Sequence, residues 1–292
     1  MASIYFEITR GAALEQWLDE PLQAPGGAEG ALHFDRNDPQ VVRAGTNANH
    51  PPFQASKRWQ RAQTAEAAFW KSWRENTLYA HISLEAFWLE VLEKTGGPLP
   101  QGRILDIGCG PVSVLNFHRP QGTLAIGLDP LASVYLREKI IESAEGMTPI
   151  PIIGLPAESL PFADASMDHL ICFNVLDHVS NAPAVLAEMW RILRPGGSAR
   201  LYVHTFQPWI KRWLFFDRPH VYHWDHPEFQ ALLEEAGFIV DHALKEPKTF
   251  DLPAGILSKL RHFPYWVATK VGYTSYFYVH KPDSRGVNRT QP

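Results

Sequence analysis

One short segment, residues 104–111, constrains this chain more than any other. An apolar stretch that carries an acid, Ile104-Leu105-Asp106-Ile107, runs directly into the glycine-rich turn Gly108-Cys109-Gly110-Pro111. Glycine lets the backbone come close to a ligand that side chains would otherwise block. About 20 residues further on, a second apolar stretch ends at Asp129, where a carboxylate can accept both hydroxyls of a ribose. This order of strand, glycine turn, helix, strand and acid predicts half of a nucleotide-binding fold.

The glycine turn does not complete the dinucleotide motif G-x-G-x-x-G, because Ser113 stands where the third glycine would be. Three downstream segments follow the turn: GLPAESLPF at 154–162, the apolar stretch 169–174, and RILRPGG at 191–197. In this order and spacing, the segments resemble class I S-adenosylmethionine-dependent methyltransferases, in particular the small-molecule branch (methyltransferase type 11). The resemblance covers residues 100–240 and implies S-adenosylmethionine as the cofactor.

The predicted fold class is α/β. Strands at 103–107, 123–128, 149–153, 168–173 and 199–204 alternate with helices, which favours a parallel sheet covered on both faces. The resemblance implies a Rossmann-like, doubly wound and mostly parallel sheet of seven strands. It also implies that the last strand, residues 275–280, pairs antiparallel at the edge of the sheet.

Changes in composition and in the spacing of apolar residues divide the chain into four regions. Residues 1–57 are interrupted by proline and glycine and are interpreted as an N-terminal appendage of short strands and turns, with one short helix near residues 12–18. Residues 58–97 show helical spacing and form a helical cover, whose tryptophans we interpret mainly as packing residues. Residues 98–282 form the methyltransferase domain, with an aromatic lid insertion at 205–226, and residues 283–292 form a frayed polar tail.

The resemblance assigns cofactor contacts residue by residue. Asp106 orients the methionine ammonium, directly or through water, while Gly108 and Gly110 allow close backbone approach. Asp129 binds the ribose hydroxyls, and Pro130 lies against the adenine.

Two further cofactor positions lie downstream. Relatives often carry Asp-Ala where this chain has Pro156-Ala157, so the usual carboxylate for the adenine amino group is missing. Ala157 can still offer its backbone N–H to the ring, and Glu158 either compensates for the missing carboxylate or faces solvent. Asn174 holds the methionine part.

Three histidines are candidates for acid/base or substrate contact, because a hydroxyl acceptor needs a base and imidazole titrates near neutrality. They are His178 after the fourth core strand, His204 at the end of the fifth, and His223 in the insertion. The alternative for His178 is a structural role in holding loop and helix together.

The group His220, His223, Asp225 and His226 could in principle bind a metal. Its position just before a helix favours helix capping and a substrate-facing loop instead. We therefore predict no metal site here.

Composition narrows the partners. The net charge of −4 and the pI near 6.3 give no basic excess for tracking a phosphate backbone, so a nucleic-acid substrate is disfavoured. Two cysteines and the lack of an 18-residue apolar run predict a cytoplasmic protein without an integral membrane segment.

The predicted function is methylation of a small-molecule acceptor, with oxygen ahead of nitrogen or carbon, in a biosynthetic pathway. The aromatic residues suit an aromatic, hydrophobic or glycosidic acceptor. The aromatic insertion itself could cap such an acceptor, pack as core or lie on a membrane interface. Two alternatives remain for the whole chain: a non-catalytic cofactor-binding or complex-forming protein of the same fold, and an RNA or protein methyltransferase.

Overall fold

The computed structural model describes residues 4–7, 33–34, 41–43, 56–72, 83–138, 147–148, 150–160, 162–216, 220–248 and 270–283. The strands are β1 Ile4–Glu7, β2 His33–Phe34, β3 Val41–Arg43, β4 Arg103–Ile107, β5 Leu124–Leu128, β6 Ile152–Ile153, β7 Met167–Phe173, β8 Leu193–Phe206, β9 Ile239–Pro247 and β10 Gly272–His280. The α-helices are α1 Lys57–Ser72, α2 Leu84–Lys94, α3 Ala132–Arg137, α4 Ala182–Ile192 and α5 His226–Glu235. Two 3₁₀ turns cover Val114–Asn116 and Lys211–Phe216.

The strands form one sheet in the order β2-β3-β1-β6-β5-β4-β7-β8-β10-β9. Five neighbouring strands, β6, β5, β4, β7 and β8, run parallel, and β10 is antiparallel to both β8 and β9. The five parallel strands together with β10 and β9 confirm the predicted mostly parallel sheet of seven strands. The N-terminal β1 pairs antiparallel with β6, so part of the appendage extends this sheet.

The central strands are apolar at nearly every position because both faces of the sheet are covered. On one face, Leu105 and Leu170 pack into the same core as α4 and α5. On the other face, Ile104 and Ile171 pack against α2 through Trp88. Helices on both faces are typical of a doubly wound parallel sheet.

The structure corrects the prediction of a helix after the glycine turn. Only one 3₁₀ turn follows, and Ser113 caps it by accepting a hydrogen bond from the N–H of Leu115. Pro111 and Pro120 bound this segment and leave room for little more than one capped turn.

The prediction that the last strand lies at the edge of the sheet is also wrong. It lies between β8 and β9, and β9 forms the edge. The burial explains this order, because Tyr276, Phe277 and Val279 of β10 are buried, whereas β9 is exposed at most positions. The predicted helix near residues 12–18 and the tail beyond residue 283 lie outside the described residues.

None of the described helices combines the length and the apolar character that crossing a bilayer requires.

Candidate active site

A cleft that is open to solvent lies at the carboxyl ends of the central parallel strands. Ligands of open α/β sheets bind at this edge. Among the residues predicted to bind the cofactor, those that line the cleft are Gly108, Asp129, Pro130, Ala157, Glu158 and Asn174, and His178 lines it as well. Asp106 and Gly110 are buried beside the cleft, behind the surface of the glycine turn.

Asp129 follows β5 and holds the glycine turn in place. Its two carboxylate oxygens accept hydrogen bonds from the N–H of Gly110 at 2.9 Å and of Leu131 at 2.8 Å. Burial raises the pKa of Asp129 to about 6, although both N–H groups favour the charged form. The Tyr135 hydroxyl also hydrogen-bonds to Asp129. A carboxylate has about four lone-pair positions, so about one remains to accept a hydroxyl of a ligand.

Asp106 lies under the turn at the end of β4 and is 3% exposed. Ser113 donates a hydrogen bond from its hydroxyl to this carboxylate. Burial raises the pKa of Asp106 to about 7, and the nearby charge of Asp129 adds to the rise. Two carboxyl groups, Asp129 in the cleft and Asp106 buried beside it, therefore change charge near neutral pH.

The two glycines of the turn have φ values of +65° and +62°, which favour glycine. A Cβ on Gly108 would overlap the side chain of Val175, and a Cβ on Gly110 would lie 3.3 Å from the Trp70 ring. From the sequence, these glycines are expected to allow close approach by a ligand. The structure shows that close packing by Val175 and Trp70 also requires them.

Glu158 lines the cleft, but its carboxylate is partly occupied by hydrogen bonds within the protein. One of its carboxylate oxygens accepts hydrogen bonds from the N–H of Ser180 at 2.7 Å and of Asn181 at 3.2 Å. Burial raises its pKa. Glu158 thus connects the loop before β7 to the start of α4 while it lines the cleft.

Helix α1 lies in the segment predicted to be a helical cover, and it contributes three cleft residues that were not among the predicted site residues. Trp59, Gln63 and Glu66 line the cleft, and Glu66 accepts a hydrogen bond from the indole N–H of Trp70 at 2.8 Å. The negative charge of Glu66 also lies close enough to raise the pKa of Asp129. These residues are spaced at i, i+4 and i+7, which places them on one face of the helix. This spacing is visible in the sequence and could have indicated a shared surface.

Asn174 directly follows β7, has a φ of +58° and lines the cleft. Its backbone N–H donates to the carbonyl of Tyr202, and its side-chain nitrogen lies 3.5 Å from Nε2 of His178. Its side-chain oxygen is buried and has no hydrogen-bond partner among the described residues. A ligand that donates a hydrogen bond would satisfy this oxygen.

Beyond Asn174 the structure brings several histidines together. The rings of His178 and His220 have centroids 4.8 Å apart, and the ring of His204 is 6.3 Å from that of His220. Asp177 lies beside them and is completely buried. This group connects the cleft with the described part of the predicted insertion.

His204 and His223, both predicted to be catalytic, lie next to the cleft without lining it. Burial lowers the pKa of His204 well below its usual value, so its imidazole is neutral at pH 7. The His223 ring packs edge-on against Phe206, with centroids 5.5 Å apart, and lies 6.1 Å from His220.

The four residues first considered for a metal do not act together. Asp225 caps α5 and forms an ion pair with Lys211, while His226 hydrogen-bonds to Ser275 at 2.9 Å. Capping was the predicted role of this segment, and His220 instead joins Asp177 and His178, a grouping that the sequence analysis did not foresee.

Comparison with known proteins shows that part of this chain is similar to methyltransferases. Residues 105–201 match the family model described as a methyltransferase domain. Thiol S-methyltransferase TMT1B of Mus musculus is 31% identical over 107 residues, which cover 36% of this chain and 43% of the relative. Ubiquinone biosynthesis O-methyltransferase of Paracidovorax citrulli is 30% identical over 106 residues, which cover 34% of this chain and 42% of the relative. The chain thus matches less than half the length of these curated relatives.

Solved structures share the fold. Phosphoethanolamine N-methyltransferase 2 of Haemonchus contortus, solved in complex with S-adenosyl-L-methionine, has a TM-score of 0.55 and 17% identity. The match covers 83% of this chain and 63% of that one.

The residues of the cleft fit S-adenosylmethionine. Asp129 can accept a hydroxyl where a ribose would lie, and the unsatisfied oxygen of Asn174 can accept from the methionine part. Pro130 and Leu131 add apolar surface to the wall of the cleft. Residues 105–201 therefore match a methyltransferase domain, and the residues of the cleft fit S-adenosylmethionine as its cofactor.

Proposed function

We propose that this protein methylates a small-molecule acceptor, with a hydroxyl oxygen as the preferred target, in a biosynthetic pathway. One observation carries the proposal: the cofactor cleft ends at Asn174 and His178, directly beside the histidine group that includes His204 and His220. Imidazoles at this position are suited to take a proton from a hydroxyl.

Each part of the site has a defined task in this reaction. When bound, S-adenosylmethionine supplies a methyl group on a positively charged sulfur. Asp129 and Asn174 orient the cofactor, and positioning accounts for much of the catalysis in such a displacement. The wall formed by α1 over the glycine turn limits the access of water. His178 is the histidine nearest to the reacting atoms, because it alone of the three candidates lines the cleft.

Aromatic side chains support a small aromatic or hydrophobic acceptor, and a glycoside of such a ring would also fit. Phe206 packs against both His220 and His223, and Trp213 is 54% exposed in the insertion. The net charge of −4 supports this class over a nucleic acid. The two cysteines are free and buried, which suits a reducing compartment such as the cytoplasm.

A thiol acceptor is the second candidate, favoured by the similarity to TMT1B. A thiol ionises near pH 8.5 and needs less help from a base than a hydroxyl, whose pKa is far higher. The protein can be incubated with S-adenosylmethionine and with matched hydroxyl or thiol compounds. The amount of S-adenosylhomocysteine formed with each series shows which acceptor is used. Binding of S-adenosylmethionine with no product from either series would favour the non-catalytic alternative.

For a hydroxyl acceptor, His178→Ala should lower kcat by about a hundredfold or more, the usual range for the loss of a general base. The Kd of S-adenosylmethionine should change by less than about threefold, because the lost side chain contacts the acceptor end of the cleft. Stopped assays of S-adenosylhomocysteine and a binding titration measure the two quantities. The exposed His242 on β9 provides the matched control, and His242→Ala should behave as the parent. An unchanged kcat in His178→Ala would exclude this role.

A further inference from the structure

We propose that Asp177, His178 and His220 form a binding site for a divalent transition-metal cation such as Zn²⁺, beside the acceptor end of the cofactor cleft. One ligand atom from each of the three residues lies within 4.8 Å of the other two. Two imidazoles and one carboxylate form a donor set that suits zinc and related cations better than magnesium or calcium.

The environment of the Asp177 carboxylate supports a cation site most strongly. Its side chain is completely buried, and neither carboxylate oxygen accepts a hydrogen bond within the part of the chain that the structure describes. A buried carboxylate without such partners is costly, so native proteins pair it or place it against a metal. A cation between Asp177 and the two imidazoles would remove that cost.

The two separations from Asp177 are longer than direct hydrogen bonds and match the spacing of ligands around one ion. Nε2 of His178 lies 3.8 Å from one oxygen of Asp177, and Nε2 of His220 lies 3.7 Å from the other. Both distances exceed the range of an N–H···O hydrogen bond. Ligand atoms at about 2.0–2.2 Å from a shared zinc ion are themselves about 3–4 Å apart.

Hydrogen bonds to backbone carbonyls hold together the segments that carry these residues. The carbonyl of Asp177 accepts hydrogen bonds from the N–H of Val221 at 2.6 Å and of Tyr222 at 3.2 Å. The guanidinium of Arg58 in α1 donates to the carbonyl of His220 at 3.0 Å. These contacts bring the insertion against the loop after β7, which places His220 opposite His178.

Three protein ligands leave coordination positions open, as in catalytic zinc sites. His204 provides a further donor nearby, since its Nδ1 is buried and lacks a hydrogen-bond partner in the described structure. A cation here could lower the pKa of a hydroxyl or thiol acceptor, a consequence that rests on the proposed function. The binding site itself does not rest on it. Loss of kcat in His178→Ala is expected whether His178 acts as a general base or as a metal ligand. A measurement of metal binding is therefore needed to distinguish these two roles.

The test is zinc binding by the full chain. Protein loaded with Zn²⁺ and then dialysed against metal-free buffer should retain about one zinc ion per chain by elemental analysis. Competition with a chromophoric chelator should show zinc affinity at least about tenfold weaker in both Asp177→Asn and His220→Ala. His242→Ala, which changes an exposed histidine on β9, should bind zinc as the parent does.

Two results would overturn the site: less than about one-tenth of a zinc ion per chain in the loaded parent, or unchanged zinc affinity in His220→Ala. His220 is only partly buried, so this variant decides the question even if Asp177→Asn does not fold. Co²⁺ substitution adds a spectroscopic readout, because bound Co²⁺ should show visible absorption bands that His220→Ala weakens. A titration with S-adenosylmethionine on the same samples reports the cofactor site separately.

Discussion

Asp129→Ala should weaken the binding of S-adenosylmethionine by about a hundredfold, or about 3 kcal/mol, measured by isothermal titration calorimetry. The reason is twofold. The substitution removes the acceptor for the ribose hydroxyls, and it leaves the N–H groups of Gly110 and Leu131 without the carboxylate that now orders the turn. Hydrogen bonds to a charged group contribute about 1.5–3 kcal/mol each, so the loss of a few accounts for this effect.

The matched control is Asp164→Ala. Asp164 has a side chain that is 80% exposed and pairs with Arg191, which keeps a second partner in Glu188. This variant should bind the cofactor with unchanged affinity. If Asp129→Ala bound S-adenosylmethionine as tightly as the control, Asp129 would not be the ribose ligand.

Gly108→Ala should lower the free energy of unfolding by about 3 kcal/mol, or about 6–12 °C in Tm, measured by circular dichroism. A methyl group there would overlap Val175, and the φ of +65° disfavours any residue with a Cβ. The left-handed conformation costs about 1–2 kcal/mol, and overpacking costs about 1–3 kcal/mol.

Two further variants separate these causes. Gly122 has a φ of +78° with open space around its Cβ position, so Gly122→Ala should show only the backbone cost of about 1 kcal/mol. Adding Val175→Ala to Gly108→Ala should restore part of the lost stability by removing the overlap. Equal melting of Gly108→Ala and Gly122→Ala would contradict the packing explanation.

The sequence was sufficient to predict the central sheet, because its signals are local. Buried parallel strands such as β4 and β5 read as continuous apolar runs, and each ends at a recognisable acid or glycine turn. The place of β10 in the sheet was not predictable in this way. Its pairing with β8 and β9 depends on contacts between segments far apart in the chain.

The cofactor site followed from motifs, whereas the acceptor end did not. Asp129, Ala157 and Asn174 lie in short segments whose order along the chain indicated a shared cleft, and the structure places all three on its walls. The group of Asp177, His178 and His220 depends on the insertion folding back by backbone hydrogen bonds to Asp177. No local pattern in the sequence encodes that contact.

The pKa values of the two buried aspartates give the cofactor site a testable pH dependence. With pKa values of about 7 for Asp106 and about 6 for Asp129, both groups are largely ionised at pH 8 and substantially protonated at pH 6. The ammonium and hydroxyl groups of the cofactor favour ionised carboxylates, so the affinity rises as the pH rises through this range.

Calorimetric titration of the chain with S-adenosylmethionine at pH 8 and pH 6 tests the assignment of this cleft most directly. We expect one site per chain with a Kd below about 50 μM at pH 8, equivalent to about −6 kcal/mol. The affinity should be about tenfold weaker at pH 6, since most Asp106 side chains are then protonated. Failure of both S-adenosylmethionine and S-adenosylhomocysteine to bind at pH 8 would contradict the assignment.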